Sequence, residues 1–196
     1  MDMVRLNQTH ELRHPFIFNP NHIKGLKIKD ASPKKVIQNH PELEPIINHL
    51  FSLIPNQKHL LVDINHTDFS KENLTCRNSD WHLDGRMIED FPEHYAIWSA
   101  GEFRTKFMDQ VIQASSEMLE LTNPLSRFKI FHDLLGEDLK NDEMGFEVPE
   151  MTPITYTTFD FHKGRKVKTR TGDRFFIRVM SSNYIRPRPL RRLAQH

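Results

Sequence analysis

Arg174-Phe175-Phe176-Ile177-Arg178-Val179-Met180, together with the earlier run Ile154-Thr155-Tyr156-Thr157-Thr158-Phe159-Asp160-Phe161-His162, decides how this chain is read. Both runs are rich in β-branched and aromatic residues, which suit a pleated, half-buried surface. Successive side chains on a strand leave opposite faces. Phe175, Ile177 and Val179 therefore form one apolar face fit for a core. Arg174, Phe176, Arg178 and Met180 form the other, and two guanidinium groups go inward with them. A buried charge without a partner is costly, so inward arginines call for anions. A dicarboxylate ligand could supply one through a bidentate contact. The plainer alternative is an edge strand whose arginines sit in solvent or pair with Asp or Glu.

Working outward from these runs, His59–Ile64 and His94–Ser99 read as further strands, and 65–78 as a polar loop. The first thirty residues hold short apolar pieces broken by Pro20 and Gly25, which predicts one or two short strands with turns. From Ser32 to Ile54 apolar residues recur at three- and four-residue intervals. Ser32 is placed to cap a helix with Pro33 at its first position, and Pro41 splits the segment. Lys106–Leu121 and Leu125–Leu139 read as two more helices, and Lys163–Asp173 as a basic turn or hairpin. The pattern predicts an α+β, mainly β, chain: a curved sheet or barrel buttressed by helices. One domain spans 1–196, with 1–57 as helical and short-strand support, 58–182 as the β core and 183–196 as a basic tail.

Composition bounds the function classes. The chain has 196 residues, 37% hydrophobic and 27% charged, enough for one domain with a real core. The single cysteine, Cys76, excludes an internal disulfide framework and fits a reducing compartment. The N-terminus lacks a signal-peptide core and no apolar run reaches membrane-spanning length, so a cytoplasmic protein with no membrane partner is expected. Residues 163–196 hold eleven Lys and Arg against one acid, while 1–162 hold sixteen basic and twenty-five acidic residues. A basic end on an acidic body either holds the two parts together or attracts an anionic partner.

Trp81-His82-Leu83-Asp84-Gly85-Arg86 carries the chemistry. An H-x-D pair on an extended strand offers an imidazole nitrogen and a carboxylate to one cation. The motif is weak by itself, and His66-Thr67-Asp68 repeats it. The first copy has Trp81 to exclude water and Gly85 to turn the chain, whereas the second lies in a polar stretch. Two His and one carboxylate leave three positions of an octahedral ferrous ion open. His162, at the end of a strong strand and sharing a face with Asp160, Thr158 and Tyr156, is the best third ligand. His94, His132 and His59 fit less well.

With these residues in place the chain resembles the Fe(II)/2-oxoglutarate-dependent dioxygenases, whose double-stranded β-helix (a jelly-roll, cupin-like core) carries H-x-D, a distal His and then an Arg for the cosubstrate. His82-Leu83-Asp84, His162 and Arg174 or Arg178, twelve and sixteen residues on, match that order. The R-x-x-x-R spacing and Gly101-Glu102-Phe103-Arg104-Thr105 are similar to the taurine-dioxygenase branch. The Gly-Gly-Asp-Thr run of that branch is only partly present, the chain is short for it, and the first third is unmatched. The resemblance implies His82, Asp84 and His162 as ligands of Fe(II), and Arg174 with Thr105 as the 2-oxoglutarate anchor. Arg178 would line the site and either share that anchor or face the substrate. The implied reaction consumes O2, releases succinate and CO2, and hydroxylates a small molecule, nucleic acid or protein.

Trp98 and Arg86 are the remaining candidates for substrate contact. Lys163, Arg165, Lys166, Lys168 and Arg170 follow the distal His and would favour an anionic substrate, nucleic acid included. A solvated hairpin of ordinary lysines explains them equally well. Two readings from other classes stand beside the oxygenase: a non-catalytic basic β-rich module that binds nucleic acid or protein, and a cupin-like metal isomerase or lyase.

Overall fold

β11 (Asp173–Ser182) is the strand around which the chain is assembled. It pairs antiparallel with β4 (His59–Asp68) on one side and β5 (His94–Gly101) on the other. The computed structural model describes residues 3–70, 81–85, 92–115, 144–164 and 172–184. Among them, β2 (Glu11–Leu12), β3 (Lys27–Ala31) and β9 (Ile154–Thr157) complete a six-stranded sheet in the order β2-β9-β5-β11-β4-β3. A three-stranded sheet has the order β10-β6-β8, from β6 (Thr105–Phe107), β8 (Phe146–Glu147) and β10 (His162–Gly164). β1 (Met3–Leu6) and β7 (Ile112–Ser115) form a two-stranded ribbon. Every pairing among the described residues is antiparallel, and the expected mainly β architecture holds.

The two faces of β11 divide as its alternation predicts. Phe175, Ile177 and Val179 pack with Ala96, Trp98 and Ala100 of β5 against α1 (Pro33–Asn39) and α2 (Glu44–Ser52). Ser32 caps α1 by accepting from Lys35 N at 3.3 Å, with Pro33 in the first turn. Ile46, Ile47 and Leu50 of α2 are fully buried against the sheet. Each contributes about 1.5–3 kcal/mol of apolar burial. On the opposite face, Met180, Tyr95, Ile97 and Tyr156 pack against Phe107 and Val148. The functional residues lie on this second side, between the large and small sheets.

The structure corrects four sequence expectations. Thr105–Phe107 and Ile112–Ser115 are strands, not the start of a helix over 106–121. Thr105 and Phe107 are buried on either side of a half-exposed Lys106, a period-two pattern that pairing with β10 and β8 selects. β4 runs on to Asp68 instead of ending at Ile64, because β11 pairs along its whole length. The segment 154–162 is not one strand: β9 belongs to the large sheet and β10 to the small one. Consequently His162 does not share a strand face with Tyr156, Thr158 and Asp160 by alternation. The helix expected at 125–139, His132, Arg86, residues 165–170 and the tail lie outside the described residues.

Asp160 organises the crossing between the sheets. It is fully buried and accepts from Thr157 N at 2.9 Å, Thr9 N at 3.1 Å and Thr9 Oγ1. Burial pushes its carboxyl up, but hydrogen bonds from His10, Thr157 and Thr9 hold it below the usual carboxylate range. The knot ties the N-terminal segment to the turn that delivers His162.

Candidate metal centre

An isolated antiparallel bridge joins His82 to His162. Its two backbone bonds, His82 N to His162 O at 3.0 Å and His162 N to His82 O at 3.1 Å, set the two imidazoles side by side. Their ring centroids are 4.4 Å apart. Asp84, two residues beyond His82, joins them, and one donor atom from each of the three residues falls within 4.8 Å of the others. The three residues singled out by motif thus meet in space and form a group that could hold a metal ion.

Hydrogen bonding decides which nitrogen of His162 is available. Nδ1 lies 3.1 Å from the Asp160 carbonyl oxygen, which can only accept, so Nδ1 carries the proton. Nε2 then faces Asp84 Oδ2 at 3.2 Å. Two lone-pair atoms at that separation need a cation between them, either a second proton or a metal ion. The separation also suits adjacent ligands of a metal with ~2.1 Å bonds. The donor set fits a divalent transition metal, and the Asp160 carbonyl is the outer contact that commonly orients a ligating His. Phe107 stacks on the His162 ring at 5.4 Å and Tyr156 meets it edge-on at 4.9 Å, so the ring is held on both sides.

Asp84 is gripped by more than His82 and His162. Its Oδ2 accepts from Tyr156 OH at 3.1 Å and from Arg178 Nη1. Burial pushes the Asp84 carboxyl up, but Arg178 foremost, then His162 and His82, hold it well below the usual range. The Tyr156 phenol is driven well above its usual value by burial and by the Asp84 charge. Burial opposes the charge on Arg178, yet Asp84, Tyr156 and Asp63 keep it firmly protonated.

The two arginines of β11 have different surroundings. Arg178 Nη2 lies 2.5 Å from Asp63 Oδ2, and its Nε donates to the same oxygen at 3.1 Å. Shared between two carboxylates, Arg178 is placed to hold Asp84 instead of a ligand's carboxylate. Arg174 Nη2 donates to Thr105 Oγ1 at 3.2 Å, joining the large sheet to β6. The residues expected to act as a pair are therefore in contact.

The remaining candidates fall elsewhere. Trp98 is fully buried on the helix-facing side of the large sheet and donates to the Phe16 carbonyl at 3.0 Å. It is a core residue and is not brought to the triad. His66 accepts from Gly25 N at 3.0 Å through Nδ1 and meets Asp173 Oδ1 at 2.8 Å through Nε2. Both of its nitrogens are thus used structurally, which separates the second H-x-D copy from the metal group. Trp81 is buried, with Lys163 Nζ 4.6 Å above its ring.

Asp63 and Tyr156 were not legible as site residues. Asp63 is the direct cross-strand partner of Arg178. Alternation along His59–Ile64 turns it away from Val62 and Ile64, but only the β4–β11 register reveals what it meets.

Gly85 lets the ligand segment leave the site. Its φ is +75°, and a Cβ there would collide with Glu93 Oε2, Tyr95 OH and Thr158 Cγ2. Gly85→Ala is expected to cost on the order of 3 kcal/mol, from left-handed strain plus overpacking. Thermal melting should show a Tm lower by about 6–12 °C. An unchanged Tm would remove the steric requirement.

No known family model matches the chain, and no curated protein matches it by sequence.

Proposed function

We propose that this protein is an Fe(II)- and 2-oxoglutarate-dependent oxygenase built on a double-stranded β-helix, hydroxylating a substrate with release of succinate and CO2. The observation that carries the reading is the convergence of His82, Asp84 and His162 with donor atoms within 4.8 Å. The contact of Arg174 with Thr105, on the same side of the large sheet, supports it. His82, Asp84 and His162 would hold the iron, which supplies oxygen activation when bound. Two neutral imidazoles and one carboxylate leave room for a chelating cosubstrate.

The chain's own groups do the positioning. Arg174, with the Thr105 hydroxyl beside it, is the anchor for the far carboxylate of 2-oxoglutarate through a charge-assisted contact. Tyr156 and Arg178 fix the Asp84 carboxylate, and the Asp160 carbonyl fixes the His162 ring. Phe107 and Tyr156 are buried against the His162 ring and keep water from its flanks. Orientation and a dry, shaped cavity are what a protein adds to such chemistry.

The test is oxygen-dependent release of succinate from 2-oxoglutarate by the ferrous-loaded protein. Uncoupled turnover without substrate is the expected result, and it should vanish under nitrogen. If neither turnover nor 2-oxoglutarate binding occurs while metal binds, the cosubstrate-free isomerase or lyase reading replaces this one.

A further inference from the structure

Asp63 contributes no atom to the candidate metal group, yet it is built into its support. Its Oδ2 takes two bonds from Arg178, at 2.5 Å and 3.1 Å, and its Oδ1 accepts from Asp30 N at 2.7 Å. Asp30 has a φ of +49° at an irregularity in the β3–β4 pairing. A strained backbone position is thus spent on directing one N–H at Asp63. Both oxygens of the carboxylate are engaged, and its side chain is only 16% exposed, as is that of Arg178.

The charges explain why such a residue is there. Arg178 alone beside Asp84 would neutralise the carboxylate that a cation needs, and the pair would carry no net charge. With Asp63 present, two carboxylates share one guanidinium and the cluster retains one negative charge. The guanidinium is also drawn sideways: Nε and Nη2 go to Asp63, and only Nη1 reaches Asp84. Asp84 is oriented by Arg178 without being consumed by it.

We propose that Asp63 is a positioning residue of the metal site, dividing Arg178 so that Asp84 stays oriented and electrostatically available to a divalent cation. The proposal rests on His82, Asp84 and His162 being metal ligands, as in the function proposed above. Without the Asp63 charge, Arg178 swings fully onto Asp84 in a two-pronged contact and competes with the metal. Outer partners of ligands typically change metal affinity by roughly 10–100-fold.

Cobalt(II) titration of the full chain, followed by visible absorption and by calorimetry, tests this. Asp63→Asn is expected to weaken cobalt binding by about 10–100-fold. Asp63→Glu, which keeps the charge, should recover most of the affinity, a rescue that mere strand packing would not produce. Should Asp63→Asn misfold by circular dichroism, Asp63→Thr provides the second charge-free variant, since a β-branched residue suits the strand and its hydroxyl can accept from Asp30 N. Wild-type affinity in a folded charge-free variant overturns the role of Asp63 and leaves the triad standing. A wild-type protein that binds no cobalt, iron, manganese or zinc overturns both.

Discussion

His162→Ala is expected to abolish specific divalent-metal binding while the protein stays folded. His162 supplies one of three donors, and its Nε2 faces Asp84 Oδ2 at 3.2 Å. Alanine leaves two donors and a gap beside Phe107. The loss in affinity should exceed about 100-fold, above the range typical of outer partners. His82→Ala should behave alike. His66→Ala should retain full affinity, because His66 spends its nitrogens on Gly25 and Asp173. Metal at a hundred times its Kd stabilises a folded protein by about 2.7 kcal/mol. Wild type and His66→Ala should therefore gain roughly 5–10 °C in Tm on metal addition. A metal-dependent rise in His162→Ala equal to that of wild type would remove His162 from the ligand set.

The second large effect is expected at Arg174. Arg174→Met keeps much of the side-chain length and removes the guanidinium that contacts Thr105 Oγ1. Truncating one side of a buried charged contact costs about 2–5 kcal/mol. The Kd for 2-oxoglutarate should rise by roughly 30-fold or more. Cobalt affinity should stay near wild type, since Arg174 meets Thr105 and contributes no atom to the candidate metal group. Calorimetry with the metal-loaded protein separates the two quantities. Arg178→Met should behave differently, lowering metal affinity as well, because Arg178 grips Asp84 directly. If Arg174→Met binds 2-oxoglutarate as tightly as wild type, the anchor is misassigned.

The parts of the candidate site differ in how local their sequence signal is. His82, Asp84 and His162 are readable as candidate ligands because few residue types bind transition metals, although the H-x-D pattern recurs at His66 and does not by itself choose between the two copies. The alternation of β11 correctly put Phe175, Ile177 and Val179 against the helices and both arginines on the other face. Ser32 and Pro33 announced α1 through local chemistry alone. For α1 and β11 the signal is carried by a few adjacent residues whose side chains act within one turn or one strand.

Where the reading failed, the deciding partner was distant in sequence. The sequence predicts a helix over 106–121, but Thr105–Phe107 and Ile112–Ser115 are strands because β1, β8 and β10 offer hydrogen-bonding edges. Trp98 is a candidate for substrate contact in the sequence, and the docking of the helices on its face makes it core. Even the choice of His162, which the structure does bring beside His82 and Asp84, rests on a continuous strand that the structure divides between two sheets.

By itself, the sequence determined a mainly β chain, the first helix and its cap, the two faces of β11, and the residues able to bind a metal. Those are consequences of side-chain chemistry and of periods of two and 3.6. Tertiary structure alone decided that His162 bridges to His82, that His66 turns away to Asp173, and that Asp63 divides Arg178. Such pairings depend on strand register between segments up to 115 residues apart, and a shift of one residue would turn every side chain to the opposite face.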